Sequence, residues 1–156
     1  MLRMTKLADY GIVMLTHIAG SPGQVTHNAR DIASSVHLPL PMVSKVLKVL
    51  AREGLLVSHR GTKGGYSIAR RPEDISVAEI IRALEGPIAI TECTDILHGD
   101  CDLELLCPVR GNWHRINQAI REALEGISLA EMTQPLPSRL VSLRESSNPA
   151  QVSNIT

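Results

Sequence analysis

The sequence predicts a mainly α-helical protein: a winged helix-turn-helix with a two-stranded wing, then a cysteine loop and a long dimerisation helix. Three observations predict it. Two short apolar-faced helical segments flank a break at Leu38-Pro-Leu-Pro41. Alternating apolar residues then surround a glycine-rich turn, Gly61-Thr-Lys-Gly-Gly65. Finally, the only three cysteines, Cys93, Cys101 and Cys107, fall within fifteen consecutive residues, just before a near-heptad apolar stripe.

From Thr5 to about Gly20, Leu7, Tyr10, Met14 and Ile18 recur at helical spacing, and Gly20-Ser-Pro-Gly23 stops the run. A second helix begins near Asn28, a residue suited to an N-cap, and buries Ile32, Ala33 and Val36. A third starts around Pro41 and runs to Glu53, ended by Gly54. Val43, Val46, Leu47 and Leu50 form its inner face, and Ser44, Lys45, Lys48 and Arg52 its outer one. Two short helices joined by a tight turn, the second basic on its outer face, describe a helix-turn-helix. The segment Leu55 to Ala69 follows as a hairpin, the wing of such a domain.

A DNA-binding surface is expected on these elements. Lys45, Lys48, Arg60 and Lys63 are placed to meet phosphates, while Gly64 and Gly65 let the wing backbone approach a groove. Pro41, Met42 and Ser44, near the start of the third helix, are expected at base edges, and Asn28 joins the set. Charge supports the placement. Residues 1–71 hold ten Lys and Arg against three acids, whereas residues 72–156 hold six Arg against thirteen Asp and Glu. A net charge of zero therefore conceals a basic half joined to an acidic half.

In the second half, Ser76-Val-Ala-Glu79 reads as a capping box opening a helix that buries Val77, Ile80, Ile81 and Leu84, ended by Gly86-Pro87. After the cysteine loop, Pro108 suits a first helical turn, and a long helix runs to about Glu125. Its stripe of Trp113, Ile116, Ile120 and Leu124 suits either the subunit's own core or, as favoured here, a seam against a second copy. The expected division is a DNA-binding domain over 1–75, a cluster loop and dimerisation helices over 76–132, and a disordered tail over 133–156. Arg3, Lys6 and Asp9 interrupt any secretory apolar run, and no stretch approaches the length of a membrane span. A cytoplasmic protein with no membrane partner is expected, in a reducing compartment that suits free thiols.

Three thiols on one short acidic loop can converge on a soft metal centre, and an odd number argues against a disulfide framework. Three ligands are one short of a tetrahedral set. A zinc site or a cluster-free thiol switch is the alternative. A catalytic cysteine served by His98 or His114 is disfavoured, because no oriented base or substrate pocket is legible, so no enzyme is expected.

With these elements placed, residues 1 to about 132 resemble the IscR/NsrR class of winged-helix iron–sulfur regulators. The resemblance rests on Met1-Leu-Arg-Met-Thr-Lys-Leu-Ala-Asp-Tyr10, Val57-Ser-His-Arg-Gly-Thr-Lys-Gly-Gly-Tyr66, Ser76-Val-Ala-Glu-Ile80 and the cysteines, spaced by seven and then five residues. Leu84-Glu-Gly-Pro-Ile-Ala-Ile-Thr-Glu-Cys93 and Cys107-Pro-Val-Arg-Gly-Asn-Trp-His-Arg-Ile-Asn117 look most like regulators of Suf-type iron–sulfur assembly genes. The resemblance implies a homodimer on double-stranded operator DNA, repressing such genes. It also implies an iron–sulfur cluster, 4Fe-4S favoured over 2Fe-2S, on Cys93, Cys101 and Cys107. Where IscR has a ligating histidine, three residues after the last cysteine, this chain has Arg110. Asp9 matches the position from which the nitric-oxide-responsive members take a carboxylate across the dimer. His98, Glu92, Asp95, Asp100, Asp102 and Glu104 compete for that role.

Overall fold

The Thr5 hydroxyl accepts from the N–H groups of Leu7 and Ala8, capping α1 (Lys6–Ala19). The computed structural model describes residues 4–21, 23, 25–95, 101 and 106–134, and the expected tail lies, from residue 135 on, outside them. Asn28 caps α2 (Ala29–Val36) by accepting from the Asp31 N–H. That helix ends on His37, whose φ of 54° is left-handed, a conformation few non-glycine residues adopt. α3 (Leu40–Arg52) closes in a Schellman turn, with Leu55 N–H donating to Leu50 O and Gly54 N–H to Ala51 O. Met14, Leu15, Ile18, Ile32, Val43, Val46, Leu47 and Leu50 interdigitate as the core of this three-helix unit.

The hairpin pairs β1 (Leu56–His59) with β2 (Gly65–Ile68) antiparallel, Leu56 opposite Ile68 and His59 opposite Gly65. A third strand of one residue completes the wing. His27 and Tyr66 exchange both backbone hydrogen bonds, at 2.9 and 2.8 Å, anchoring the hairpin to the entrance of α2. A two-stranded hairpin alone is marginal in water, so this bridge matters to the wing's placement.

α4 (Val77–Glu85) begins at Ser76, whose hydroxyl accepts from the Glu79 N–H. The capping box expected there is only half realised. The Glu79 carboxylate turns instead to the Arg70 guanidinium, tying the exit of the wing to α4. α5 (Arg110–Glu125) begins two residues after Pro108, and a further helix, α6 (Leu129–Met132), follows. A complete capping box opens α6, between Ser128 and Glu131. The segment before α6 pairs with the start of α4: Val77 N–H donates to Ile127 O at 2.9 Å and Leu129 N–H to Ile75 O at 2.8 Å.

Leu129 is fully buried and, with Ile75 and Ile80, joins the core of α1 and α3. The apolar core therefore runs on past residue 75, and α4 and α6 both pack on α1. No helix among the described residues is long and apolar enough to cross a membrane.

Gly65 shows how tightly the wing seats. A Cβ there would meet the His27 carbonyl oxygen at 2.4 Å and carbon at 2.7 Å, both backbone atoms fixed by the bridge. Gly65→Ala is expected to destabilise the protein by about 1–3 kcal/mol, the range of overpacking substitutions. Thermal unfolding against Lys63→Ala, a change at the exposed tip, checks this; equal midpoints would contradict the close seating.

Candidate functional site

The outer face of α3 carries Pro41, Lys45, Lys48 and Arg52, all exposed and on the side opposite the buried Val43, Val46, Leu47 and Leu50. Arg52 is engaged by Glu53 at 3.0 Å, whereas no ion pair holds Lys45 or Lys48 among the described residues. Their ammonium groups are thus free to displace counterions along a phosphate backbone. Ser44 is half-buried on the same helix, and Met42 packs partly against the core, which limits how far either reaches outward. Asn28 lies at the surface, but both ends of its amide are used within its own cap: Oδ1 accepts from Asp31 N–H, and Nδ2 donates to the Asp31 carboxylate.

At the wing, Arg60 and Lys63 are exposed on the turn that joins β1 to β2, and the Gly64 N–H donates to Gly61 O at 2.9 Å. Gly64 and Gly65 have packing reasons of their own. A Cβ on Gly64 would lie 2.6 Å from His59 O, as one on Gly65 would strike His27. They shape the wing, and the cations at its tip offer the charge.

The cysteines sit on the connection from α4 to α5. Cys93 lies in a 3-10 turn (Glu92–Thr94), its sulfur 3.2 Å from the Thr91 hydroxyl; Cys107 stands three residues before α5. All three thiols are free and half-buried. Their donor chemistry fits a thiophilic metal or an iron–sulfur cluster, and their partial exposure gives access to it. They do not form a closed site: among the described residues no three His, Cys, Asp or Glu side chains are gathered closely enough to hold a metal ion. His98, Asp100, Asp102 and Glu104 lie outside the described residues. Asp9 is exposed in the first turn of α1, where a carboxylate complements the helix dipole.

The apolar stripe of α5 divides. Ile120 and Leu124 are half-buried over a groove shared with Ile81 of α4, while Trp113 and Ile116 are 37% and 43% exposed. Leu106 and Val109, just before the helix, extend the exposed apolar surface. The one buried residue of α5 is Asn117, which sequence reasoning passed over. Its Oδ1 accepts from Ile90 N–H at 3.1 Å and its Nδ2 donates to Ile88 O at 3.0 Å. No local pattern separates it from a solvated asparagine, because its partners lie 27 and 29 residues away.

Comparison with known proteins agrees with this architecture. Residues 4–135 match the Rrf2 family, described as iron-dependent transcriptional regulators. The chain is 24% identical over 144 residues to the HTH-type transcriptional regulator NsrR of Geobacillus kaustophilus, covering 92% of this chain and 98% of that protein. The structure of CymR, the global cysteine regulator of B. subtilis, superposes with a TM-score of 0.68 at 28% identity, over 85% of this chain and 97% of CymR. That of T. potens IscR gives 0.65 at 28% identity, over 94% and 92%. These relatives are transcription regulators and not enzymes. The chain belongs to the Rrf2 family of winged-helix, DNA-binding transcription regulators.

Proposed function

We propose that this regulator is a homodimeric repressor of iron–sulfur assembly genes. It would sense iron–sulfur or redox status through a cluster, 4Fe-4S in preference to 2Fe-2S, on Cys93, Cys101 and Cys107. The observation that carries the reading is the set of three free, half-buried thiols on the single connection between α4, which packs on the DNA-binding core, and α5, which offers an unpartnered apolar face. Asp9 of the partner subunit is proposed as the fourth ligand. Bound there, the cluster would supply a redox-responsive cross-link between the two ends of the loop that joins α4 to α5.

The residues of the chain account for the rest. Trp113 and Ile116 would bury against a second copy, setting two recognition helices at a fixed separation. Lys45 and Lys48 on α3, with Arg60 and Lys63 at the wing tip, would grip phosphates. Drawing Cys93 toward Cys107 shifts the loop end of α4, and a dimer that must match two half-sites turns a small rotation into lost affinity. A zinc site or a thiol switch is the second reading. It is favoured by the thiols not being gathered around one point among the described residues, and by the likeness to a cysteine regulator.

Protein purified without oxygen is expected to be coloured and to contain iron and acid-labile sulfide. Cys93→Ala, Cys101→Ala or Cys107→Ala should each bleach it, whereas Asp9→Ala should assemble a cluster that decays faster in air. Stoichiometric zinc without sulfide would instead establish the second reading, and an Asp9→Ala cluster as durable as the parent's would remove Asp9 from the ligand set.

Binding to DNA should weaken steeply with salt. Lys45→Ala, Lys48→Ala, Arg60→Ala and Lys63→Ala should each reduce the log–log salt slope by roughly 0.9 for every phosphate the parent side chain neutralises. Titration of a site selected from random DNA, at several ionic strengths, measures it. An unchanged slope in Arg60→Ala would take the wing off the DNA.

A further inference from the structure

Asn117 is an anomaly of composition and position. It is 7% exposed on a helix whose other residues are exposed or only half-buried, and both polar atoms of its amide are spent on the backbone of another segment. That segment, residues 86–91, is the arm leading from α4 to Cys93. Ile88 and Ile90 belong to no helix or strand, and the Asn117 amide meets the carbonyl of one and the N–H of the other.

The arm is half-buried along its length, but its packing leaves open space around Ile88. On one side of Ile88 lies a cavity of about 140 Å³, bounded by Ala78, Arg82, Thr94 and Arg121. On another lies an open groove of about 480 Å³, bounded by Met4, Ile81, Ile120 and Leu124. A side chain with voids beside it lacks the close neighbours that fix a core residue. The hydrogen bonds to Asn117 supply the directional contacts to α5 that such loose packing lacks.

From the arm a continuous bonded path reaches the thiol. Thr91 N–H donates to Thr94 Oγ1 at 3.2 Å, and Thr94 Oγ1 donates to Thr91 O at 2.8 Å. The Thr91 hydroxyl contacts Cys93 Sγ at 3.2 Å. Thr94 is itself buried, so this short turn is a rigid unit hung from the clamped arm. Cys107, at the other end of the loop, precedes the helix on which Asn117 sits.

We propose that Asn117 is the positioning residue of the cysteine site. It locks the arm bearing Cys93 to the helix that follows Cys107, so that a change at the thiols moves α4 and α5 together. The coupling half of this inference rests on the proposed function; the clamp itself does not. Asn117→Leu keeps a similar volume while removing both hydrogen bonds, and Asn117→Asp keeps the acceptor for Ile90 while removing the donor to Ile88.

The test uses the full chain. In reduced, metal-free protein, the rate of iodoacetamide alkylation at Cys93 relative to Cys107 should rise in Asn117→Leu by at least about fivefold, the factor that one ordinary net hydrogen bond carries, since both bonds are lost. Asn117→Asp should lie between parent and Leu variant. In cluster-loaded protein, Asn117→Leu should still bind DNA, but with a smaller ratio of loaded to unloaded affinity than the parent. An unchanged alkylation ratio in a folded Asn117→Leu would overturn the clamp, because volume alone would then suffice. If that variant fails to fold, an unchanged ratio in Asn117→Asp does the same. A changed alkylation ratio with an unchanged affinity ratio would overturn the coupling. Should the parent hold no cluster, the proposed function fails, and the alkylation ratio still decides the clamp.

Discussion

The arrangement depends on the return of the chain to its own DNA-binding core. Two backbone hydrogen bonds, Val77 to Ile127 and Leu129 to Ile75, lay the segment after α5 against the start of α4, and Leu129 is driven fully into the core. Burial of a leucine stabilises by roughly 1.5–3 kcal/mol, and the paired amides add specificity of register. Without this seat, α5 would be held only by its contacts with α4 and with the segment leading to Cys93. With it, the C-terminal end of α5 is fixed to the unit that carries α3 and the wing. A helix of 16 residues spans about 24 Å, so the end that follows Cys107 stands well away from that anchor. The cysteine loop is thereby strung between α4, which packs on the core, and α5, which is anchored to it, and on the proposed function this is how chemistry at the thiols would reach the DNA-binding face.

Charge follows the same division. Most of the basic residues lie on the half that builds α1 to the wing, and the acids are concentrated beyond residue 72. An acidic cysteine segment is repelled from a phosphate backbone, so it favours orientations in which α3 and the wing meet DNA first. The exposed Trp113 and Ile116 mark a different face again, apolar and free of lysine, suited to a protein partner.

Much of this was legible in the sequence because it is local. The inner face of α3 repeats at helical spacing, Asn28 is a strong cap, and alternation around Gly61 to Gly65 marks a hairpin. What escaped is non-local or brief. α6 has too few residues for a periodic face, although Ser128-Leu-Ala-Glu131 is the same signature read at Ser76. At Ser76 that signature is half realised, because Arg70, nine residues before Glu79, competes for the carboxylate. The His27–Tyr66 bridge is one pair of residues far apart in sequence, and nothing local announces it. At the cysteine site, residue type and clustering suggest thiolate ligation, which is proposed above. The geometry of such a site is not legible, because a loop's spatial arrangement does not follow from local spacing. Asn117 was missed for a related reason: an asparagine on a helix looks solvated until its distant backbone partners are known.

On the proposed function, the state of the cysteine loop is thermodynamically linked to operator binding. The decisive measurement is the affinity of unmodified protein for one selected DNA site in two matched preparations. One keeps its iron and sulfide, and the other has been stripped of both under reducing conditions, at fixed salt. The two affinities are expected to differ by roughly 5–150-fold, the usual span of such coupling, whichever form binds more tightly. Equal affinities for two dimeric preparations would contradict it, leaving the thiols without a regulatory hold on the DNA-binding face.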